Sequence, residues 1–262
     1  MATTAKLAHG DFTDLAKDYS QYREGYAPSV REALTGLLGR PAGALDAVDV
    51  GAGTGIWTRI LADGGFRSVT AVEPNDNMRA RGIADSADYP ISWRAGKGED
   101  TGLAAESADL VSMASSFHWV DFESGTKEFC RLLRPGGRFV ALWNPRLIEV
   151  NPVLVDIETE LNRLMGDKKR VTSAHPQMIK ELADRFASHP RFDDVVVLEG
   201  RHSVQQSVSH YIGIWRSVND VRVQLGDAGF DQFLGYIRER LAGAENIEVT
   251  YLTRAVAARA KK

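Results

Sequence analysis

One cysteine, Cys130, is the only thiol in a chain of 262 residues. A lone thiol cannot close a disulfide within the chain or supply a thiolate metal cluster, so no oxidising compartment is required and no metal is expected. Long apolar runs are missing as well: none approaches the roughly 20 residues that span a bilayer, and Met1 to Gly10 lack the apolar stretch of a secretory signal. A soluble, cytoplasmic protein with no membrane partner is expected. Neither sign of charge dominates, with 32 Lys and Arg against 35 Asp and Glu, a formal net charge of −3 and a sequence pI near 6.1. That balance argues against affinity won by neutralising a phosphate backbone, and hence against a nucleic-acid partner. The compact basic cluster Lys168-Lys169-Arg170 reads as a solvated helix end. The pattern Gly-x-x-x-x-Gly-Lys-Ser/Thr is also missing, which excludes a nucleotide-hydrolysing P-loop.

What is present is an ordinary globular mixture, 44% hydrophobic and 26% charged, long enough to bury a substantial core. Short apolar runs ending in Gly, Pro or Asn alternate with segments of helical period. This is the pattern of an α/β, doubly wound, mostly parallel sheet covered by helices on both faces. Seven strands are expected, at Ala47 to Val50, Ser68 to Val72, Ile91 to Arg94, Asp109 to Met113, Arg138 to Trp143, Asp194 to Leu198 and Ile247 to Tyr251. Helices are expected at Pro28 to Leu38, Thr54 to Asp63, Asn75 to Ile83 and Phe122 to Leu133. The last should stop at Arg134-Pro135-Gly136-Gly137, because Pro cannot continue a helix and Gly-Gly permits a tight reversal. Residues 146–190 and 205–244 have helical spacing and read as insertions covering the carboxyl edge of a single domain's sheet.

The most informative segment is Asp49-Val50-Gly51-Ala52-Gly53-Thr54-Gly55. Alternating glycines between a strand and a helix let the backbone approach a ligand, and the free amides of the helix start favour an anionic group. The next strand ends in Val72-Glu73-Pro74, and a carboxylate at that edge can accept from both hydroxyls of a ribose. A nucleoside cofactor follows. The dinucleotide fingerprint would need a third glycine where Ile56 stands, which counts against a nicotinamide oxidoreductase.

These residues, followed by Asp109-Leu110-Val111, Ser116-Phe117-His118-Trp119 and Leu133-Arg134-Pro135-Gly136-Gly137, resemble in order and spacing the class I S-adenosylmethionine-dependent methyltransferases. The His-Trp pair resembles the branch that contains trans-aconitate methyltransferase and related small-molecule enzymes. Phe12, Tyr19, Tyr22 and Arg23 resemble that branch's opening segment, here residues 1–27, which folds over the cofactor.

The resemblance implies a Rossmann-like fold, S-adenosylmethionine as cofactor and a small-molecule acceptor. By it, Gly51, Gly53 and Gly55 pass beneath the methionine portion, Asp49 and Ala52 belong to the same cofactor-binding set, and Glu73 holds the ribose. Pro74, Asn75 and Met78 line the adenine, with Gly98 and Glu99 beside its amine, although Lys97 departs from the family pattern there. Ala114 and Ser115 lie near the sulfonium, His118 just beyond, and Tyr19 and Arg23 close over the site. His118 is the candidate base for an oxygen or carbon acceptor; a structural His stacked on Trp119 is equally open on sequence alone. For a carboxylate acceptor, Arg23, Arg201 or Arg216 would position the anion instead. Tyr22, Trp119, Trp143, Tyr211, Trp215 and Arg216 are candidates for the acceptor pocket, with core packing as the competing reading. A non-catalytic cofactor-binding module is the alternative from another class. A nucleic-acid methyltransferase would carry Asp/Asn-Pro-Pro-Tyr/Phe after the fourth strand, which this chain lacks.

Overall fold

The computed structural model describes residues 20–166 and 174–262, the side chain of Asn219 excepted. Phe12, Tyr19 and the cluster Lys168-Lys169-Arg170 lie outside them. The chain divides into two compact units. One holds Glu24–Pro145, 174–202 and Tyr251–Lys262; the other holds 20–23, 146–166 and 203–250 of the described residues.

The sheet has seven strands: β1 (Asp46–Val50), β2 (Ser68–Val72), β3 (Ile91–Arg94), β4 (Ala108–Ala114), β5 (Leu133–Trp143), β6 (Phe192–Ser207) and β7 (Asn246–Ala260). Their order is β3-β2-β1-β4-β5-β7-β6. The first five pair in parallel, and β7 runs antiparallel to β5. This is the expected doubly wound architecture. The order reverses between β1 and β4, and in such sheets ligands bind in the crevice outside the carboxyl ends at that reversal.

Burial on both faces explains the apolar strands. Along β5, Phe139, Ala141 and Trp143 enter one core cluster with Phe117, Phe129, Phe186 and Phe192. The intervening Val140 and Leu142 enter another with Val30, Leu34, Trp57 and Leu61. Residues of β7 alternate the same way, Val256 and Ala258 on one side, Ala255 and Ala257 on the other. The covering helices of this unit are α1 (Pro28–Leu37), α2 (Ile56–Asp63), α3 (Asp76–Asp85), α4 (Phe122–Leu132) and, later in the chain, α6 (Pro176–Ala187).

Three expectations are corrected. Arg134-Pro135-Gly136-Gly137 lies within β5 as a bulge: pairing jumps from Ala108↔Leu133 to Leu110↔Arg138. Gly136 takes φ 79°, and Arg134 leaves the bulge to bond Asp109 and Ser107. Second, β7 extends nine residues past Tyr251, and its pairing with β5 uses Arg254 to Arg259. Alanine is a poor strand former on propensity alone, but in an interior strand small side chains fit between two helix-covered faces. Third, α6, expected in an acceptor-side insertion, places Ile179, Leu182 and Phe186 in the sheet's own core.

The second unit contains α5 (Pro152–Met165), α7 (Val208–Arg216) and α8 (Asn219–Arg240). Asn151 caps α5 and Ser207 caps α7 through side-chain oxygens. Helix α8 breaks at Gly226, φ 70°. The Tyr22 ring occupies the space where a Cβ on Gly213 would stand, 2.5 Å from it. Among the described residues no helix is long and apolar enough to cross a membrane.

Candidate functional site

The carboxyl ends of β1 and β2 are joined by backbone. After Val50 the chain turns through Gly51, Gly53 and Gly55 at φ 66°, 58° and 79°, a region costly for side-chain-bearing residues. The amides of Gly51 and Ala52 both reach the carbonyl of Val72 at the end of β2, at 2.8 and 3.1 Å. Two of the glycines are dictated by the protein itself. A Cβ on Gly51 would stand 2.7 Å from Ser116 Oγ, and one on Gly55 2.9 Å from the Trp93 ring. Gly53 differs: its nearest neighbour would be Met78 at 3.5 Å.

Glu73 fastens the two strand ends together. Its Oε2 accepts from the Gly53 amide at 2.8 Å and its Oε1 from the Asn75 amide at 2.8 Å. The side chain is buried, and burial raises its pKa against the pull of these two amides and of Arg79. Two amide bonds leave lone pairs on both oxygens for further donors. Asn75 caps α3 through its side chain, bonding the amides of Asn77 and Met78, while Met78 is buried against Gly53 and Pro74 is exposed. The Thr54 hydroxyl is buried in the same turn with no hydrogen-bond partner.

Asp49 does not line this turn, contrary to expectation. It is fully buried, with Oδ2 accepting from Thr58 at 2.6 Å and Oδ1 from Ser112 at 3.1 Å. It ties α2 to β4 beneath the glycines, and burial pushes its pKa up to about 7.

The loops after β3 and β4 are latched together. Gly98 is buried where a Cβ would stand 2.5 Å from Val120, and the exposed Glu99 accepts from the Asp121 amide at 3.0 Å. Beyond Ala114, Ser115 adopts φ 55°. Its amide donates to Leu142 O at 2.7 Å, and its hydroxyl lies 2.9 Å from Tyr26 Oη. Ser116 Oγ donates to Val50 O at 3.2 Å. His118 and Trp119 follow in a short 3-10 turn, Phe117–Trp119, which Phe117 anchors in the core. The two rings lie 4.9 Å apart and Trp119 is 54% exposed.

Three aromatic candidates for the acceptor pocket are packing residues. Trp143 is buried in the sheet core, although its indole N–H donates to His118 Nδ1 at 3.5 Å, the outer limit of a hydrogen bond. Tyr211 and Trp215 are buried in the second unit, edge to face with one another, and Trp215 packs edge-on to Phe233 at 4.8 Å. Their ring planes bury most when enclosed, which is what the helical spacing of α7 delivers. There Arg146 lies 4.1 Å over the Trp215 ring, Arg23 bonds Ser217, and Arg216 is exposed. Arg201, in the sheet unit, is exposed as well.

Sequence reasoning passed over Tyr26, Thr54, Ser116, Asn144 and Thr253, all of which touch this edge. Thr54 and Ser116 stood inside quoted motifs, so their polarity beside glycines was a usable signal. Tyr26, Asn144 and Thr253 meet only through the fold.

Residues 48–141 match the family model described as a methyltransferase domain. That stretch contains the glycine turn, Glu73, the Gly98-Glu99 loop and the Ser115 to His118 segment. Over that stretch the chain is similar to a methyltransferase domain. An uncharacterized methyltransferase of Mycobacterium tuberculosis is 38% identical over 128 residues, 49% of this chain and 49% of that protein. A demethylmenaquinone methyltransferase of Corynebacterium glutamicum is 32% identical over 146 residues, 55% of this chain and 60% of that one. The chain thus spans about half the length of the curated relatives it matches first. A solved structure described as a type II methyltransferase from Anaeromyxobacter dehalogenans shares the fold at TM-score 0.65 and 22% identity, covering 90% of this chain and 98% of that one. The matched range ends inside β5, so Tyr26, Asn144 and Thr253 fall outside it.

Proposed function

We propose that this protein binds S-adenosylmethionine at the carboxyl edge of β1, β2 and β4 and transfers its methyl group to a small-molecule acceptor in the cytoplasm. The observation that carries this reading is Glu73, held by the Gly53 and Asn75 amides at the rim of a turn with three left-handed glycines. A buried carboxylate with unspent lone pairs, next to a buried and unpartnered Thr54 hydroxyl and a helix start rich in amides, fits a ligand with vicinal hydroxyls at one end and an amino acid at the other. Gly51, Ala52, Gly53 and Gly55 would hold the amino-acid end. Glu73 would hold the ribose, Pro74, Met78, Gly98 and Glu99 the base, and Ala114 and Ser115 the region of the sulfur. Bound there, the cofactor supplies a methyl group that is already activated.

What remains for the chain is to align an acceptor, exclude water and manage a proton. With Trp143 donating to Nδ1, a neutral His118 carries its proton on Nε2. In that form it orients an acceptor oxygen by donating to it, and it removes a proton only after the Trp143 contact opens. Oxygen or carbon methylation is the reading we favour.

Calorimetric titration with S-adenosylhomocysteine tests the site. Wild type should bind, and Glu73→Ala should weaken binding by more than about tenfold, the loss expected when two hydrogen bonds to a charged group disappear. Absence of binding to wild type, or unchanged affinity in Glu73→Ala, would overturn the reading.

A further inference from the structure

We infer that Tyr26 is a positioning residue for the sulfur end of the methyl donor, acting through Ser115; this rests on the donor-binding reading above. Residues Gly25 to Ala27 form a strap tied to the sheet's carboxyl edge. Asn144 Nδ2, just past β5, donates to Gly25 O at 2.7 Å. The Ala27 amide donates to Thr253 Oγ1 of β7 at 2.8 Å, and that hydroxyl donates to Asn144 Oδ1 at 2.7 Å. The two ties share partners and therefore fix both ends of one residue, Tyr26.

The side chain of Tyr26 is held in turn. Its ring meets Trp57 of α2 edge to face, centroids 5.3 Å apart, which leaves its hydroxyl 2.9 Å from Ser115 Oγ. Ser115 is a non-glycine residue at φ 55°, a conformation that persists only where the surroundings impose it. Here the Leu142 carbonyl holds its amide and Tyr26 holds its hydroxyl. The next residue, Ser116, bonds Val50 O and occupies the space beside Gly51. A continuous set of contacts thus runs from the strap, through the end of β4, to the glycine turn.

A hydroxyl pair has a specific effect at such a place. Its oxygen lone pairs are attracted to a positively charged sulfonium and indifferent to a neutral thioether, so the pair favours the methyl donor over its demethylated product. A residue that merely supported the fold would affect both ligands alike.

The experiment compares S-adenosylmethionine with S-adenosylhomocysteine, each titrated by calorimetry into the full chain. Tyr26→Phe keeps the ring on Trp57 and removes only the hydroxyl, while Ser115→Ala removes its partner. Each should weaken S-adenosylmethionine binding about three- to tenfold, the range for one hydrogen bond, with S-adenosylhomocysteine changed less than about twofold. The double variant should be no weaker than either single variant, because one interaction is removed only once. Equal weakening toward both ligands, an unmoved ratio, or losses that multiply in the double variant would overturn the inference alone. Wild type that binds neither compound would overturn the donor reading and this inference with it. Should Tyr26→Phe fail to fold, the ratio measured on Ser115→Ala decides.

Discussion

At one stretch of the sheet's carboxyl edge, where β1 meets β2, the geometry is made almost wholly of backbone. Three glycines in the left-handed region, two amides on the Val72 carbonyl and two amides on Glu73 hold the turn, and most of the contacts join residues within about one strand–helix–strand unit. Where β4 and β5 end beside the middle of β7, side chains do the same task. Tyr26 reaches Ser115, Asn144 reaches Gly25, and Thr253 reaches both Ala27 and Asn144. A backbone-built rim depends on which residues can adopt unusual φ, whereas a side-chain-built rim depends on polar groups satisfying one another in pairs. The first should fail through strain and the second through unsatisfied hydrogen bonds.

Gly51→Ala is the strongest test of that contrast. A Cβ must find room 2.7 Å from Ser116 Oγ in a residue at φ 66°, so strain and overlap together should cost about 3 kcal/mol or more in urea unfolding. Gly53→Ala, which meets only Met78 at 3.5 Å, should cost about 1 kcal/mol, the φ penalty by itself. Equal losses would mean that close packing contributes nothing to the first rim.

Beneath that rim Asp49 adds a dependence on pH. Its folded pKa of about 7 lies above the ordinary 3.8, so the folded state binds its proton more tightly. Its contribution to stability is full below pH 3.8 and is lost as pH rises through 7. Between pH 5 and pH 8 wild type should therefore lose about 2 to 3 kcal/mol that Asp49→Asn does not, read from paired denaturation curves. Parallel curves would show that the carboxyl is not protonated in the folded chain.

On the other rim, Asn144→Ala strips the Gly25 carbonyl and the Thr253 hydroxyl of partners at once, and should cost about 1 to 3 kcal/mol. A loss near zero would mean that water replaces the clasp without penalty. The smallest effect is expected at His118: Trp143→Phe removes the indole donor to Nδ1 while conserving most of the buried ring. Once an acceptor is in hand, its kcat should differ between Trp143→Phe and wild type, and an unchanged kcat would remove the Trp143 contact from the proton's path.

The contrast also explains what could be read in the residue order. Glycines at 51, 53 and 55 followed by Glu73 announce a backbone-built rim because each signal is local, and the five parallel strands were legible from apolar runs bounded by turn residues. The end of β7 was not, since Ala255, Ala257 and Ala258 around Val256 carry no strand preference of their own and are extended because β5 pairs with them. Asp49 opened a motif that pointed to the ligand, but only the positions of Thr58 and Ser112 show its carboxylate turned inward. Tyr211 and Trp215 share a helix face whether they line a pocket or fill a core, so helical spacing could not separate the two. The strap was invisible for a plainer reason: Ala27 and Thr253 are 226 positions apart.

The placement of β7 bears on how the molecule comes into being at the ribosome. It is synthesised after the six other strands, yet it lies between β5 and β6. Until it emerges, the nascent sheet presents β5 with an unpaired edge, and β6 has no neighbour to join. Such an edge is open to pairing with other chains, and closure waits on contacts distant in sequence, which form slowly. Assembly of this sheet is thus completed by insertion rather than by growth at a margin, and protection by a chaperone would matter most in the interval before that late strand arrives.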